Sequence, residues 1–177
     1  MQMIKIKGGN ILDKFLIIGL CLFCVSALGM LVYSIANPVS NEQFTNFYIL
    51  GINGKADNYP SEFDMANGNV IDVKYSDAGQ EVASGWGNVY IGITNHENQT
   101  ELYSVEITID GKIVNVYSDG ETNSLLGPIK LVNRENWEQE IGFAPPHVGT
   151  GQEVEFILYK NSDSNPYRTL KLWIDAE

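Results

Sequence analysis

Cysteine is scarce in this chain of 177 residues and is absent from most of it. The only two cysteines, Cys21 and Cys24, lie in one uncharged apolar run. Residues 37–177 therefore have no disulfide available, and packing must hold their fold. A C-x-x-C spacing also occurs in zinc and redox sites. Without a second cysteine pair or a nearby histidine, the spacing here predicts two small packing residues.

Basic residues are the second scarcity. The chain carries 11 basic and 22 acidic residues. Lys5, Lys7, Lys14 and Asp13 are the charged residues before residue 37, which leaves 8 basic against 21 acidic residues and a formal net charge of −13 in residues 37–177. An acidic surface without a basic cluster repels phosphate backbones. We therefore expect no nucleic-acid partner.

Sequence signatures of catalysis are also missing. The chain has no nucleophile elbow, no glycine-rich phosphate loop and no zinc-protease helix motif. Its two histidines, His96 and His147, are too few for a zinc site of ordinary composition, which takes three or four ligands. We expect a noncatalytic protein without cofactor or metal, although scattered carboxylates leave a hydrolase as an alternative.

One long hydrophobic run is present near the amino terminus. Residues 15–36, FLIIGLCLFCVSALGMLVYSIA, contain no charge, and about 20 residues of helix cross a bilayer. Three lysines precede the run, whereas the next basic residue after it is Lys55. The positive-inside rule then places the amino terminus in the cytoplasm and the remainder outside the cell membrane.

This run divides the chain into four predicted segments. They are a cytoplasmic tail (1–14), a transmembrane helix (15–36), a linker (37–43) and an extracytoplasmic domain (44–177). Asn37-Pro38 ends the helix, and the short linker keeps the domain close to the bilayer. A cleaved signal peptide is the competing interpretation, because Ser34-Ile35-Ala36 has the small-x-small form of a cleavage site.

The extracytoplasmic domain reads as strands separated by turns. Asp110-Gly111 is the clearest hairpin signal. Residues 61–87 look like an irregular or inserted stretch around one strand, and a short helical turn is expected at residues 133–137. The predicted strands are 44–50, 70–75, 89–94, 102–109, 112–117, 129–132, 153–159 and 169–174.

Alternation of apolar and polar residues identifies the fold class. One face of the 102–109 strand is apolar, and the other carries Ser104, Glu106 and Thr108. The positions predicted to face the core are Tyr103, Val105, Ile107, Ile109, Val154, Phe156, Leu158, Leu170, Leu172 and Ile174. We expect an all-β, immunoglobulin-like antiparallel β-sandwich of about seven to nine strands, preceded by one transmembrane helix.

Several short motifs occur together in one order along the domain. They are residues 47–51 (FYILG), 54–56 (GKA), 59–60 (YP), 95–97 (NHE), 135–138 (ENWE), 154–160 (VEFILYK) and 166–173 (PYRTLKLW). This set resembles the carboxy-terminal region of the archaeal membrane family known as domain of unknown function 1616. The resemblance covers most of residues 44–175 and implies a membrane protein with an extracytoplasmic β domain and no assigned reaction. Family members often carry several membrane helices before this region, and the stretch from 60 to 95 is longer here.

Asn95-His96-Glu97 is the one motif that suggests a chemical role. A metal or general-base role for His96 and Glu97 is one interpretation. The favoured interpretation is a turn in which Asn95 and His96 cap backbone groups. Asn98-Gln99-Thr100 is the only N-glycosylation sequon, so Asn98 is a candidate glycan acceptor, with an ordinary polar turn as the alternative.

Tryptophans supply the candidate interface. Trp173 falls on the outward face of its strand beside Lys171, where it could anchor a partner or be covered by a neighbouring loop. Trp86 and Trp137 are expected in loops, where they could stack on a sugar or pack over a sheet edge.

These observations favour a noncatalytic accessory or scaffold subunit of a membrane or cell-envelope complex. Its helix would lie in the bilayer among partner helices, and its domain would bind other membrane or envelope proteins. A cell-surface adhesion or glycan-binding module is the alternative. An enzyme that uses His96 and Glu97 is the third hypothesis.

Overall fold

The computed structural model describes residues 11–36, 43–76, 81–82 and 85–177. The chain forms two compact units, Met1–Asn41 and Glu42–Glu177. The first unit contains one helix, α1 (Ile11–Ala36). Its segment Lys14–Tyr33 has a mean hydropathy of 2.7 over 20 residues, which is long and apolar enough to cross a membrane. Much of the predicted tail (1–10) and linker (37–42) lies outside the described residues.

The second unit is built from strands, of which thirteen fall within its described residues. They are β1 (Phe44–Leu50), β2 (Pro60–Ala66), β3 (Asn69–Tyr75), β4 (Glu81–Val82), β5 (Gly87–His96), β6 (Glu101–Ile109), β7 (Lys112–Ile113), β8 (Val116–Ser118), β9 (Glu121–Asn123), β10 (Leu125–Leu131), β11 (Asn136–Phe143), β12 (Gly149–Lys160) and β13 (Arg168–Ala176).

These strands form two sheets. The smaller has the order β1-β5-β11-β8-β9, and the larger has the order β10-β6-β12-β13-β2-β3-β4, with β7 paired to β6. The pairs are antiparallel except β13 with β2, which run parallel. The all-β, two-sheet fold class is therefore confirmed, while the strands among the described residues outnumber the seven to nine expected.

The additional strands are short, polar or interrupted. The predicted strand 112–117 is two pieces, because β7 pairs with β6 in the larger sheet and β8 pairs with β11 in the smaller one. β7 and β8 are separated at Val114, where the chain crosses from the larger sheet to the smaller one. Four strands were not predicted: β4 and β9 have only two and three residues, β2 begins at a proline, and the first half of β11 is polar. Trp137 consequently lies in β11, so the loop expected for it is wrong, whereas Trp86 does precede β5 outside a strand.

Apolar side chains from both sheets form the core between them. The expected inward positions of β6 and β12 are at most 1% exposed, as is Ile174. Phe143 of the smaller sheet contacts Phe63 and Phe156 of the larger sheet, with ring centroids 5.8 Å apart in both pairs. Full burial of each such side chain contributes about 1.5–3 kcal/mol.

The outward face of β6 is only partly exposed to solvent. Glu106 and Ser104 are partly exposed as expected, but Thr108 is buried. Its strand is flanked there by β7 and β12, and its hydroxyl lies 3.4 Å from a Glu155 carboxylate oxygen. Trp173, by contrast, faces outward from β13 with 61% of its surface exposed.

Candidate functional site

A buried polar cluster lies where β5 ends, and Asn95 is its structural centre. The Asn95 side chain is fully buried. Its Nδ2 donates to the carbonyls of Gln99 (2.8 Å) and Leu131 (2.9 Å), and its Oδ1 accepts from the backbone N–H of Glu97 (2.8 Å). These bonds satisfy carbonyls that the ladder leaves open, so Asn95 holds the turn in place.

Glu97 brings three donors to one oxygen. Its Oε1 accepts from the hydroxyls of Thr45 and Tyr167, each at 2.8 Å, and lies 3.2 Å from Lys160 Nζ. Burial raises the pKa of this carboxyl, but the hydrogen bonds from Tyr167, Thr45 and Lys160 outweigh burial and lower the pKa below its ordinary value. Glu97 is therefore ionised at neutral pH and unsuited to act as a general acid.

The cluster extends to a second buried carboxylate. The Tyr103 hydroxyl contacts Thr45 Oγ1 at 2.8 Å, and burial raises the Tyr103 pKa to about 12. Glu101, only 2% exposed, accepts from Gln99 Nε2 at 2.7 Å and from Asn161 Nδ2. Each carboxylate is thus already engaged by donors of the protein, an arrangement that stabilises the fold.

His96 does not join this cluster. Successive side chains of a strand point to opposite faces, so His96 and Glu97 diverge from β5. The His96 ring instead stacks on Phe44, its partner in the β1–β5 register, with centroids 4.6 Å apart. The structure therefore does not assemble these two residues as a catalytic pair. Among the described residues, no three His, Cys, Asp or Glu side chains converge on a point that could hold a metal ion.

The outer face of the smaller sheet is a second candidate site, made of polar and aromatic rows. The cross-strand register gives the rows Asn46–Thr94–Asn136, Tyr48–Gly92–Glu138, Leu50–Tyr90–Glu140 and Asn88–Gly142–Tyr117. The Tyr48 ring packs against Gly92, where an added Cβ would be 2.0 Å from the ring. Tyr48 donates to Glu138 at 2.9 Å, and Tyr90 donates to Glu140 at 3.3 Å.

One end of this outer face carries a concavity of about 300 Å³. Its lining includes Asn88, Tyr117, Ser118, Asp119, Glu140 and Gly142. Tyr117 stacks on Trp86 with centroids 5.7 Å apart and ring planes 19° apart. Trp86 in turn packs on the backbone of Gly142. A volume of this size is at the lower end of the range for small-molecule sites.

The third candidate site is the outward face of β13. Trp173 pairs with Glu153 of β12 in the register. Lys171 Nζ lies 2.6 Å from a Glu153 oxygen and 3.0 Å from a Glu155 oxygen. Hydrogen bonds from Lys171 lower the pKa of Glu155. The exposed ring of Trp173 thus lies among charged side chains that are held in place by ion pairs with one another.

The remaining predicted positions are dispersed. Trp137 is half-buried and packs against the core. Asn98 is exposed in the turn after β5 at a φ of 61°, with its backbone N–H donating to Asn133 Oδ1 at 3.2 Å. His147 is exposed, and its carbonyl accepts from Gln152. Trp173, Trp86 and the turn formed by residues 95–98 are therefore on separate elements.

Fold and sites together define the class of this protein. It is an all-β domain of two sheets that follows a helix long enough to cross a membrane. The chain belongs to the family described as domain of unknown function (DUF1616), which it matches over residues 72–175. This match confirms the family resemblance found in the sequence.

Other comparisons add little to this assignment. A solved structure, the crystal structure of a FixG-related protein from Vibrio parahaemolyticus, is similar to this chain with a TM-score of 0.43 and 11% sequence identity. The similarity covers 75% of this chain and 96% of that protein. Comparison with curated proteins gives no match.

Proposed function

We propose that this protein is a noncatalytic, membrane-anchored accessory subunit whose β domain binds an extracytoplasmic partner protein through the outward face of β13. The observation that carries the proposal is the 61% exposure of Trp173. Tryptophan is among the side chains that contribute most to protein–protein affinity, because one ring buries a large area at low entropic cost.

The groups around Trp173 suit a protein interface. Lys171, on the same face of β13, forms ion pairs with Glu153 and Glu155 of β12. Asp110 Oδ1 accepts a hydrogen bond from the backbone N–H of Glu153 at 3.0 Å. Acidic residues predominate in this set. A partner with basic residues around a pocket for the indole would be complementary in charge, which favours specificity and rapid association.

The membrane segment supports the same proposal. Helix α1 has a length and composition suited to a bilayer, and the sequence leaves only residues 37–43 between that helix and β1. A tether of this length restricts how far the domain can range from its anchor. We infer that its partner is another membrane or envelope protein, with the amino terminus of the chain on the cytoplasmic side.

The test is extraction of the tagged full chain from its native membrane in a mild detergent, followed by identification and stoichiometry of bound proteins. The proposal requires a fixed-ratio partner that is lost with Trp173→Ala. Val148→Ala is the matched control, because Val148 is 60% exposed. A protein that elutes alone, or a partner retained equally by both variants, would overturn the assignment of this face.

Surface recognition of glycans is a second candidate function. It is favoured by a separate observation on the smaller sheet, where Trp86 and Tyr117 form a stacked pair beside a concavity. Binding of partner and glycan would use different faces, so each candidate can be tested without disturbing the other.

A further inference from the structure

The outer face of the smaller sheet has an unusual composition. The outward positions of its strands are Phe44, Asn46, Tyr48, Leu50, Asn88, Tyr90, Gly92, Thr94, His96, Tyr117, Thr122, Asn136, Glu138, Glu140 and Gly142. All of these residues are described, and none is Lys or Arg. The face therefore offers aromatic rings, amides and carboxylates, while its formal charge comes from glutamates alone.

This composition matches the chemistry of an uncharged sugar. A pyranose ring has apolar C–H faces that pack on an aromatic ring, and it has hydroxyls around its edge that need hydrogen-bond acceptors. Tyr117, 42% exposed, supplies the ring. Glu140, Asp119 and Asn88 line the same concavity and supply carboxylate and amide oxygens. Hydroxyl-to-carboxylate hydrogen bonds are short and about twice as strong as neutral ones.

The concavity is also held in shape by contacts behind it. Gln139 Nε2 donates to Ser118 Oγ and Asp119 Oδ2, both at 2.5 Å, which fixes the β8–β9 turn against β11. Tyr90 donates to Glu140, and Trp86 stacks on Tyr117. Groups that are already ordered lose less entropy when a ligand binds, so a small site can bind with useful affinity.

We propose that this concavity, with Tyr117 as its stacking platform, binds an uncharged oligosaccharide. The glutamates and the lack of Lys and Arg on the described outward positions disfavour uronates and sulfated or phosphorylated sugars, because like charges repel. The site deepens the second candidate function and rests on it, and it is independent of the Trp173 face.

The test uses the full chain in an amine-oxide detergent, because detergents with sugar headgroups would compete for the site. Linear hexasaccharides of glucose, mannose and N-acetylglucosamine are titrated separately, with hexagalacturonate as the anionic control. Tryptophan fluorescence is the readout, since Trp86 contacts Tyr117. We expect saturable binding of at least one neutral hexasaccharide with a dissociation constant below about 1 mM, and binding of hexagalacturonate at least about tenfold weaker.

Matched variants locate the site. Tyr117→Ala should weaken binding at least about tenfold, whereas Tyr117→Phe keeps the ring and should stay within about threefold of the parent. Ile113→Ala, at an exposed position on the larger sheet, should leave binding unchanged. Neutral sugar binding that survives Tyr117→Ala would overturn this site while leaving glycan recognition standing. Failure of every neutral hexasaccharide to bind would overturn both, and equal binding of hexagalacturonate would overturn the assigned ligand class.

Discussion

Replacement of Glu97 by Gln removes a charge from the buried cluster at the end of β5 while keeping the shape of the side chain. Three donors meet at Glu97 Oε1: the hydroxyls of Thr45 and Tyr167 and the ammonium of Lys160. The Gln oxygen can still accept from this position. The substitution therefore measures what the charge contributes, with little change in packing.

The expected loss can be worked from these three contacts. A hydrogen bond to a charged group contributes about 1.5–3 kcal/mol, against about 0.5–1.5 kcal/mol for a neutral one. Three bonds that each weaken by about 1 kcal/mol would give about 3 kcal/mol. Lys160 is 23% exposed and can turn its ammonium toward water, which reduces the loss of the ion pair. We expect Glu97→Gln to lower the free energy of unfolding by about 2–3 kcal/mol at pH 7.

The effect should depend on pH in one direction. Because the pKa of Glu97 is lower in the folded chain than its ordinary value of 4.5, the folded state binds a proton less readily than the unfolded state does. The charge therefore contributes its full stability above about pH 4.5, and the contribution is lost as the pH falls through the lower folded-state pKa. Parent and Glu97→Gln should converge in stability over that acidic range.

Urea denaturation of the full chain, monitored by tryptophan fluorescence, measures the difference in unfolding free energy between parent and variant. All three tryptophans lie between residues 86 and 173, so the signal reports on the β domain alone. Glu121→Gln is the control, because Glu121 is exposed on β9 and should change stability by less than about 0.5 kcal/mol. A Glu97→Gln variant as stable as the control at pH 7, or a difference that persists unchanged at acidic pH, would refute the reasoning.

Three further outcomes are expected. Asn95→Ala should destabilise the domain by about 2–4 kcal/mol in the same urea assay, because the carbonyls of Gln99 and Leu131 lose their donor; a loss below 1 kcal/mol would contradict this role. Gly92→Ala should cost about 1–3 kcal/mol, since its Cβ would meet the Tyr48 ring, and Tyr48→Ser in the same chain should recover part of that loss. If Asn98 is glycosylated in the native membrane, Thr100→Ala should remove a mobility shift on denaturing gels without straining the turn; an unshifted parent would show that the sequon is unoccupied.

Side-chain alternation was sufficient to predict the central strands. Residues 103–109 of β6 and 154–158 of β12 place an apolar residue at every second position, and the outward Trp173 followed from the same period in β13. β11 was missed because its inner positions in the first half are Trp137 and Gln139, with acidic residues between them. β2 was missed because Pro60 and three polar residues mask its pattern, and its pairing with β13 involves only two register positions.

The sites were harder to predict because they depend on contacts distant in sequence. The Asn95-His96-Glu97 motif indicated a turn, but Thr45 and Tyr167, the hydroxyl donors to Glu97, lie 52 and 70 residues away. Lys160 likewise arrives from the end of β12. The proposed sugar site requires the register of β5, β11 and β8, which places Tyr117 beside Gly142. Trp86 was a signal for this site in the sequence, because it was expected to stack on a sugar, whereas Tyr117 was not identified.

The buried cluster also fastens an edge strand of the smaller sheet to the larger sheet. Among the described strands, β1 lies at the edge of the smaller sheet and pairs with β5. Its first residue, Phe44, lies opposite His96, at the end of β5 that leads into the Asn95–Glu97 turn. At that end Phe44 stacks on His96, and Thr45 donates to Glu97. Glu97 is in turn bound by Lys160 and Tyr167 of the larger sheet and its adjoining loop, so β1 cannot peel away without breaking contacts between the two sheets.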